Sequence, residues 1–409
     1  MSTPVDIGNE SGRLAIGFFG HDSGESTVIK RATAFMAHGA SVTGFMFHRI
    51  RRRSPPPPAW LNFDLGVTHD RNYLRRLPQL VRGVFKAVRH HATLRQQHVL
   101  YARNVDMLFI AVAVNIIART RALIVYEALD VQPIFVGQRL INRLFRWAER
   151  RLLAACDLVV VSSPYHMSEY FHSLQSYTGP WCLLENKVGA HPVPAGSAAV
   201  QSRLPSGPPW VIGFFGVLRC GRSLEILRRT AEALPRDVVV HLRGQASETD
   251  VPHRKLEELA ASHPNILFEG AYANPHDLAD IYGKVHFAWA IDYIAAQSNS
   301  KWSLLNRFYE GGLFGAVALA REGTATGGLV TQTGFGWVLP EPVDNSLIEL
   351  LRGLKPADYA RVRRAQTEAP RSMFIDETDT RDLIRALETR GRTKRRLFDR
   401  SDVRLESKS

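Results

Sequence analysis

The segment Leu14-Ala-Ile-Gly-Phe-Phe-Gly20 is a short apolar run that ends in glycine, and Trp210-Val-Ile-Gly-Phe-Phe-Gly216 closely repeats it in the second half of the chain. After the first segment, apolar residues at helical spacing occupy 28–36, and another apolar segment follows at 40–47. A strand, a helix and a strand within about thirty residues form a βαβ unit. The opening segment therefore predicts a parallel sheet, and its repeat predicts that a second such sheet begins at residue 210.

Further strands are predicted in both halves of the chain, with helical segments between them. Those in the first half are 98–101, 122–126 and 157–161, and those in the second are 238–242, 266–268, 286–291 and 316–320. Proline, glycine and serine concentrate between the two series, which is typical of a domain boundary. We predict an α/β fold in which two doubly wound, Rossmann-like domains face a cleft. The predicted divisions are an N-terminal domain at 1–190, a linker at 191–209, a second domain at 210–375, and a terminal helix with a basic tail at 376–409.

The composition is that of a folded, basic protein. The 409 residues include 52 Lys and Arg against 39 Asp and Glu, for a formal net charge of +13, and 45% are hydrophobic. That hydrophobic fraction excludes wholesale disorder. Cys156, Cys182 and Cys220 are too few and too scattered for a disulfide framework or a zinc cluster, and they favour a reducing compartment. We expect a soluble or peripheral protein, because the N-terminus is polar and no apolar run approaches the ~20 residues of a spanning helix.

Much of the positive charge falls in residues 49–103, which contain 12 basic residues and only two acidic ones. Within this region, 73–88 predicts a basic amphipathic helix, which suits either an anionic membrane surface or packing on its own sheet. Trp60 and Phe63 could support interfacial binding or belong to the core. Nucleic acid is a poor candidate partner, because few aromatic residues here could stack on bases. The apolar stripe of the predicted helix consists of Tyr73, Leu74, Leu77, Leu80, Val81, Val84, Phe85 and Val88.

Glycine and arginine follow the first predicted strand of the second domain. Gly216 could let a ligand approach the backbone closely, or it could serve only a tight turn. Arg219 and Arg222 lie in the loop that follows. They could clamp a diphosphate through bidentate hydrogen bonds, or they could be ordinary surface arginines.

A second polar cluster in this domain surrounds a predicted helix. Arg307 and Glu310 are three residues apart, so they lie on one side of the helix, and Lys301 belongs to the polar segment before it. The carboxylate could accept hydrogen bonds from both hydroxyl groups of a ribose while the cations hold phosphate. The alternative is a weak surface ion pair.

Two groups of polar residues follow strands of the first domain. Gly20, His21 and Asp22 come after the first strand and would face the cleft from the acceptor side, although Asp22 could instead serve a cap or turn. Glu127 and Asp130 end a buried strand, where carboxylates are costly unless they are paired or solvated. One of them could act as a base toward an acceptor hydroxyl or stabilise an oxocarbenium-like centre. An alternative role for Asp130 is a helix cap.

Four stretches together resemble the GT-B glycosyltransferases, in particular family 4 and its bacterial enzymes of succinoglycan-type exopolysaccharide assembly. The stretches are Val125-Tyr-Glu-Ala-Leu-Asp130, the segment from Trp147 to Pro164, Leu184-Glu-Asn-Lys187 and Asn306-Arg-Phe-Tyr-Glu310. The resemblance extends over most of the chain and implies two Rossmann-like domains with the nucleotide-sugar bound in the second.

The resemblance also implies roles for residues of the second domain. Glu310 is at the end of a Glu-x7-Glu motif and would bind the donor ribose, whereas Trp302 stands where the motif has its first glutamate. Arg307 replaces a frequent lysine and keeps its charge. Arg219 and Arg222 would correspond to the pair that holds the diphosphate, with Arg219 displaced from its usual position.

The first domain departs from the family pattern at one position. Leu129 stands where many members have a histidine near the reacting sugar, which leaves Glu127 and Asp130 as the polar residues there. Asn186 matches the asparagine that begins the interdomain hinge, but Lys187 replaces the usual glycine.

The function that the resemblance implies is transfer of a hexose from a nucleotide-sugar. No Asp-x-Asp motif or cluster of His and Cys in the sequence demands a metal, so we predict metal-independent transfer with no cofactor beyond the nucleotide-sugar substrate. We expect a UDP-sugar donor, a saccharide acceptor linked to a polyprenyl diphosphate, and an anionic membrane surface that binds residues 49–103. We expect the protein in the cytoplasm, at the inner face of the plasma membrane. The alternatives are an epimerase or hydrolase of nucleotide-sugars on the same scaffold, and an inactive partner subunit, because Trp302 and Leu129 depart from the pattern.

Overall fold

The computed structural model of the protein describes residues 13–49, 57–68, 73–190 and 204–406. The side chains of 73–76 and 395–406 are outside this description. Most of the predicted linker, the end of the predicted basic tail and part of the basic region 49–103 therefore lie outside the described residues.

The first domain is built on a sheet of seven parallel strands in the order β3-β2-β1-β4-β5-β6-β7. Its strands are β1 (Ala15–Gly20), β2 (Ser41–His48), β3 (Leu61–Val67), β4 (Val99–Arg103), β5 (Leu123–Ala128), β6 (Leu158–Val161) and β7 (Trp181–Leu183). Its helices are α1 (Ser26–Ala37), α2 (Tyr73–Val88), α3 (His91–Arg95), α4 (Val105–Ala118), α5 (Pro133–Val136), α6 (Leu140–Leu153) and α7 (Pro164–His166), followed by a π-helical turn at Met167–His172.

Helices cover both faces of this sheet. The core on one side joins residues of α2, α4 and α6 to the sheet, and the core on the other side joins residues of α1 to it. The central strands β4, β5 and β6 therefore have every residue buried. A strand with both faces covered reads as a continuous apolar run, which is why the sequence revealed these three strands.

The second domain repeats this plan with six parallel strands in the order β11-β10-β9-β12-β13-β14. Its strands are β9 (Trp210–Leu218), β10 (Val238–Ala246), β11 (Ile266–Phe268), β12 (Phe287–Ala290), β13 (Val317–Arg321) and β14 (Gly336–Leu339). Its helices are α8 (Gly221–Ala233), α9 (His253–Ser262), α10 (Leu278–Gly283), α11 (Asn299–Trp302), α12 (Asn306–Leu313), α13 (Ala325–Thr333), α14 (Val343–Gly353) and α15 (Pro356–Thr367). The predicted fold class, two doubly wound parallel sheets, is confirmed.

The chain returns to the first domain at its C-terminal end. A short parallel pair, β8 (Val188–Gly189) with β15 (Ile375–Asp376), forms where the chain leaves the first domain and comes back. The predicted terminal helix is α16 (Asp379–Glu406). Its residues Leu383, Ile384 and Leu387 are buried in the first-domain core against α1 and β5. The first domain is thus built from two separate parts of the chain.

The basic region 49–103 is partly core. Trp60 is buried on the first sheet, and the ring of Phe63 packs on that of Phe45 at a centroid distance of 5.2 Å. The interpretation of both residues as core is therefore correct, with Trp60 buried and Phe63 partly buried against the core. Among the described residues, no helix combines the length and apolar character that crossing a bilayer requires.

Helix α2 carries apolar residues on two sides, not on one stripe. Val84 is buried and Leu80 and Val88 pack beside it on the core. Leu77, Val81 and Phe85 are exposed by 56%, 43% and 64%. The sequence predicted one apolar stripe that contains all six of these residues. Packing on the sheet accounts for three of them, and the other three face solvent.

Candidate active site

The cleft lies at the carboxyl ends of both sets of strands. In each sheet the strand order reverses beside the first strand, between β1 and β4 and between β9 and β12, and the loops at such a point open a crevice for ligands. Residues after β1, β4 and β5 line one side of the cleft, and residues after β9, β10 and β12 line the other.

Glu310 projects from α12 and is held by two neighbours. Tyr282 donates a hydrogen bond from its hydroxyl to Oε2 at 3.0 Å, and the side-chain amide of Asn274 donates to Oε1 at 3.4 Å. Burial raises the pKa of Glu310, although these donors and the charges of Lys30 and Arg307 act in the opposite direction. The carboxylate is oriented but remains partly exposed, so it can still accept a ligand's hydroxyl groups.

Arg307 lies one helical turn before Glu310. Its guanidinium lies over the ring of Phe214, in the middle of β9, at 4.8 Å from the ring centre. Its Nη1 is buried and has no hydrogen-bond partner among the described residues. A buried guanidinium with a free donor favours an anionic ligand, because an unmade hydrogen bond to a charged group is costly.

Three neighbouring strand ends carry glycines with positive φ. Gly216, Gly244 and Gly270 have φ of 112°, 142° and 70°. A Cβ atom on Gly244 would lie 1.6 Å from the carbonyl oxygen of Gly216, whereas a Cβ on Gly216 or Gly270 would meet nothing within 4 Å. The ends of β9, β10 and β11 therefore form a shelf free of side chains, which we call the glycine shelf. Asn274, which contacts Glu310, follows Gly270 by four residues, and Phe214, which contacts Arg307, precedes Gly216 by two on the same strand.

Arg222, one of the two arginines of the predicted diphosphate clamp, already contacts other side chains. Arg222 is 57% exposed, pairs with Glu341 at 2.9 Å and lies over the ring of Tyr293 at 4.2 Å. Arg321, at the end of β13, lies over the same ring at 4.6 Å and is 3.5 Å from Glu341. Arg219 is exposed in the loop between β9 and α8. Sequence analysis did not point to Arg321 or Tyr293, since neither belongs to a recognisable motif.

Glu127 is enclosed between two arginines. Its side chain is 1% exposed and lies 3.1 Å from Nε of Arg31 and 3.5 Å from Nε of Arg103. Burial alone would raise its pKa, but the two guanidinium groups lower it, and the net shift is downward. A catalytic carboxylate must reach the substrate, so this enclosed position does not favour the catalytic role of Glu127, which stays a prediction. Glu127 is the paired alternative that the sequence left open, with Arg31 also bound to Thr380.

Asp130 has the opposite environment. It is exposed at the end of β5, and its Oδ1 accepts a hydrogen bond of 3.0 Å from the side-chain amide of Asn299 in the second domain. Oδ1 of Asn299 in turn accepts from the backbone N–H of Val131 at 3.0 Å. Gln132, and not Asp130, occupies the cap position of α5, so the structure does not support the cap interpretation.

His21 and Asp22 are held within the loop after β1. Nε2 of His21 is 2.5 Å from Oε2 of Glu25, and its Nδ1 is 3.3 Å from the side-chain amide of Asn104. Burial would raise the pKa of Glu25, but His21 lowers it to about 2. Asp22 is fully buried and accepts a hydrogen bond from the N–H of Gly24 at 3.1 Å. Asp22 therefore fixes the turn, and the predicted acceptor contact from this loop rests on His21 and Gly20.

Trp302 explains one departure from the family pattern. It stands where the first glutamate of the motif is expected, and its side chain is only 8% exposed. The indole packs in the core of the first domain, although α11 follows a strand of the second. Ser163 Oγ also donates to the carbonyl of Trp302 at 2.5 Å. Trp302 thus anchors the two domains to each other. Lys301 beside it is exposed, and its donor-binding role stays a prediction.

The hinge is bound from both domains. Lys30 of α1 donates to the backbone carbonyls of Asn186 and Lys187 at 3.2 and 2.8 Å and to the side chain of Asn186. Asn186 donates from its side-chain amide to Asn306 at 2.8 Å, at the start of α12. Burial lowers the pKa of Lys30 to about 7. The match at Asn186 indicated the hinge in the sequence, but nothing there pointed to Lys30.

Structural comparisons identify the fold. The fold matches sucrose-phosphate synthase from Thermosynechococcus elongatus with a TM-score of 0.68 at 17% identity, over 95% of this chain and 100% of that one. It matches HepE from Anabaena, solved with UDP-glucose, with a TM-score of 0.65 at 15% identity, over 92% and 100% of the two chains. WaaG, a glycosyltransferase involved in lipopolysaccharide biosynthesis, matches with a TM-score of 0.59 at 15% identity, over 91% and 99%. These three likenesses show that the chain has the two-domain GT-B fold.

Sequence comparison identifies the family. The chain is 34% identical over 385 residues to the succinoglycan biosynthesis protein ExoL of Rhizobium meliloti. The aligned region spans 92% of this chain and 94% of that protein. The chain belongs to the ExoL family of exopolysaccharide biosynthesis proteins. A comparison with models of known protein families finds no match. The predicted resemblance to succinoglycan-type glycosyltransferases is confirmed.

Proposed function

We propose that the protein transfers a sugar from a UDP-sugar to a saccharide acceptor during exopolysaccharide assembly. The observation that carries this proposal is the position of Glu310 and Arg307 beside the glycine shelf. A planar base can lie on a surface without side chains, a carboxylate can bind the two ribose hydroxyls, and a guanidinium can bind the diphosphate. The complex of HepE with UDP-glucose supports this choice of nucleotide in a related fold.

The leaving group of the transfer is UDP, and its charge must be offset as the bond to the sugar breaks. Arg307 has a buried donor with no partner among the described residues, and Arg219 and Arg222 lie in the loop after β9. Preorganised cations stabilise charge that develops in the transition state without the help of a metal. In this proposal the arginines supply that stabilisation, and no cofactor takes part.

The acceptor hydroxyl must lose its proton as its oxygen bonds to the anomeric carbon. Asp130 is the carboxylate at the end of β5 that is open to the cleft, and Asn299 orients it from the opposite domain. We assign the acceptor side to Asp130, with His21 and Gly20 in the adjacent loop. Glu127 holds Arg31 and Arg103 in place beneath this surface.

The proposal includes a lipid-linked acceptor and a membrane surface at the cytoplasmic side. Leu77, Val81 and Phe85 form an exposed stripe on α2, and Arg82 and Arg89 beside them are also exposed. An apolar stripe between basic residues is typical of a helix that lies in the interface of an anionic bilayer.

Thermal stabilisation by nucleotides tests the donor site. UDP and UDP-glucose should raise the melting temperature of the wild type more than ADP or GDP do, because a ligand that binds only the folded state stabilises it. Glu310→Gln and Arg307→Leu should each weaken UDP binding by about ten-fold or more, since both lose hydrogen bonds to charged groups. Arg254→Gln, on the exposed surface of α9, is the matched control and should bind UDP as the wild type does.

Product analysis separates the alternatives. Incubation with the donor should give transfer only when a lipid-linked saccharide is present. Free sugar or an epimer released without acceptor would instead support a hydrolase or an epimerase. Full UDP affinity in both cleft variants would contradict the proposed donor site.

A further inference from the structure

Helix α6 presents large apolar side chains to solvent. Leu140, Leu144 and Trp147 are exposed by 81%, 57% and 53%. They are spaced four and three residues apart, so they lie on one side of the helix. The opposite side packs on the first domain through Leu153, which is buried. The fold therefore uses one side of α6 and leaves an apolar stripe with a tryptophan outside the core.

The charges that flank this stripe are all positive. Arg139, Arg143 and Arg151 are exposed, and the guanidinium of Arg151 lies 5.4 Å from the centre of the Trp147 ring. Glu149, the one acidic residue of α6, is buried and accepts hydrogen bonds from Tyr126, Tyr170 and Gln175. The acidic side chain of α6 is therefore buried in the core, whereas these three arginines are exposed at the surface.

The stripe belongs to a wider surface. Helices α2, α4 and α6 cover the same face of the sheet, and α4 packs against both of the others. On α4, Phe109 and Ala113 are partly exposed, and Ile116 is 68% exposed. Among the described side chains of these three helices, the acidic residues are Asp106, which is partly exposed at the start of α4, and Glu149, which is buried. We call this surface the basic apolar face.

We propose that α6 is a membrane-docking helix that inserts Leu140, Leu144 and Trp147 into the interface of an anionic bilayer, as a second contact beside α2. This inference rests on the proposed lipid-linked acceptor. Tryptophan favours the bilayer interface because it has an apolar ring and a polar N–H. Arginines around an apolar stripe bind anionic lipid headgroups.

Charge complementarity favours a bilayer over a second copy of this chain. A two-fold contact brings the same surface of both copies together. The arginines of the two α6 helices would then face one another, and among the described side chains of α2, α4 and α6 only Asp106 is an acidic residue that is not buried. Like charges opposed across an interface disfavour association, whereas anionic lipid would neutralise them.

The position of α6 also connects the bilayer to the cleft. The helix begins at Leu140, ten residues after Asp130 in the cleft, and the intervening segment includes α5. A bilayer that contacts Leu140 would lie beside the entrance to the acceptor side. A saccharide attached to a membrane lipid could then enter the cleft while its lipid stays in the membrane.

Vesicle binding by the full chain tests this inference. Sedimentation with phosphatidylcholine vesicles that contain roughly one third phosphatidylglycerol should recover the wild type, with weaker recovery at high salt. Leu144→Ser combined with Trp147→Ser should weaken binding about ten-fold or more, because two apolar side chains no longer enter the interface. Arg143→Gln combined with Arg151→Gln should also weaken it about ten-fold. Leu267→Ser is the matched control: Leu267 is 44% exposed on β11 of the second domain, and its substitution should leave binding unchanged.

A spectroscopic measurement locates the contact. Anionic vesicles should shift the tryptophan emission of the wild type to shorter wavelength, and Trp147→Phe should bind vesicles while losing most of that shift. UDP should stabilise every one of these variants as it does the wild type. Loss of UDP binding would therefore be distinguished from loss of membrane binding. Unchanged vesicle binding in both α6 double variants would overturn the inference. So would a wild-type dimer, seen by light scattering, that Leu144→Ser with Trp147→Ser converts to a monomer.

Discussion

Glu127 and Asp130 are three residues apart, yet one is enclosed and the other is open to the cleft. Glu127 compensates the charges of Arg31 and Arg103 in a region that excludes water. Asp130 lies beyond the end of the strand, where its carboxylate contacts Asn299 of the second domain. The two residues should therefore respond differently to removal of their charge.

Neutralising each carboxylate separates stability from activity. Glu127→Gln should lower the free energy of unfolding by about 3–5 kcal/mol, because it leaves a buried guanidinium uncompensated. Asp130→Asn should change it by only about 0.5 kcal/mol, as is usual for exposed positions, while it lowers kcat. Urea denaturation and a transfer assay measure the two effects. A stable Glu127→Gln protein that has lost only kcat would support Glu127 as a catalytic residue.

At the residue scale, the sequence revealed candidates but not their environments. It indicated that Glu127 and Asp130 must be paired or solvated, because both end a buried strand. It could not tell which was paired, because Arg31 and Arg103 come from distant parts of the chain. Asn274 and Tyr282, which hold Glu310, were not found for the same reason: their contacts depend on how a loop and α10 pack against α12.

The elements that shape the donor side are strand ends, and the glycine shelf depends on three of them. The close approach of Gly244 to Gly216 lets β9 and β10 pair over their whole length, from Trp210 with Val238 to Leu218 with Ala246. Gly216 itself faces open space. Pairing of the two strands thus requires glycine at position 244, whereas Gly216 leaves room for a ligand.

Alanine at these two glycines should give contrasting results. Gly244→Ala should lower the free energy of unfolding by more than about 4 kcal/mol, because its Cβ would clash with a backbone oxygen. Gly216→Ala should lower it by about 1–3 kcal/mol through its positive φ alone, while its methyl group weakens UDP binding. Urea denaturation and nucleotide titration distinguish the two. Equal losses of stability, with UDP affinity intact in Gly216→Ala, would show that the shelf does not bind the base.

At the element scale, burial decided what the sequence could predict. The strands β4, β5 and β11 were found within one or two residues, because their apolar runs are uninterrupted or bounded by turn residues. Strand β3 was missed because Asn62, Asp64 and Gly66 interrupt its pattern. It lies at the edge of the sheet, as β7 does, and an edge strand has one side without a partner strand. The sequence pattern included the apolar residues on the outer side of α2, but it could not show that these side chains are exposed.

The whole molecule is held together by contacts across the cleft. Trp302 packs in the first-domain core, and Nε2 of His166 lies 3.3 Å from Oγ of Ser303. Burial lowers the pKa of His166 to about 4, against the opposing effects of Asp130 and Asn299. His166 is therefore neutral in the folded protein at neutral pH, when the two domains are joined.

Acid should weaken this junction. The pKa of His166 is near 6.5 when unfolded and about 4 when folded, so the unfolded chain takes up the proton first as the pH falls. Between pH 7 and pH 5 this uptake should remove about 2 kcal/mol of stability. His166→Gln should lose that part of the pH dependence in urea denaturation series. A variant with the same slope as the wild type would assign the acid sensitivity to other groups.

At this scale, the sequence predicted two domains and the position of the hinge, but not the contacts that hold the two domains together. Proline and glycine marked the connection, and Asn186 matched the start of a hinge. The substitution at Trp302 looked like the loss of a ligand contact. Its contribution to closure could not be predicted, because the core that receives the indole belongs to the other domain.

The return of α16 to the first domain has a consequence for synthesis. Thr380, Leu383 and Leu387 complete the surroundings of Arg31 and the outer face of the first sheet, yet they follow the entire second domain in the chain. A nascent chain on the ribosome therefore exposes that face while residues 204–375 are being made. The N-terminal domain can begin to fold early, but it becomes complete only after the second domain has emerged.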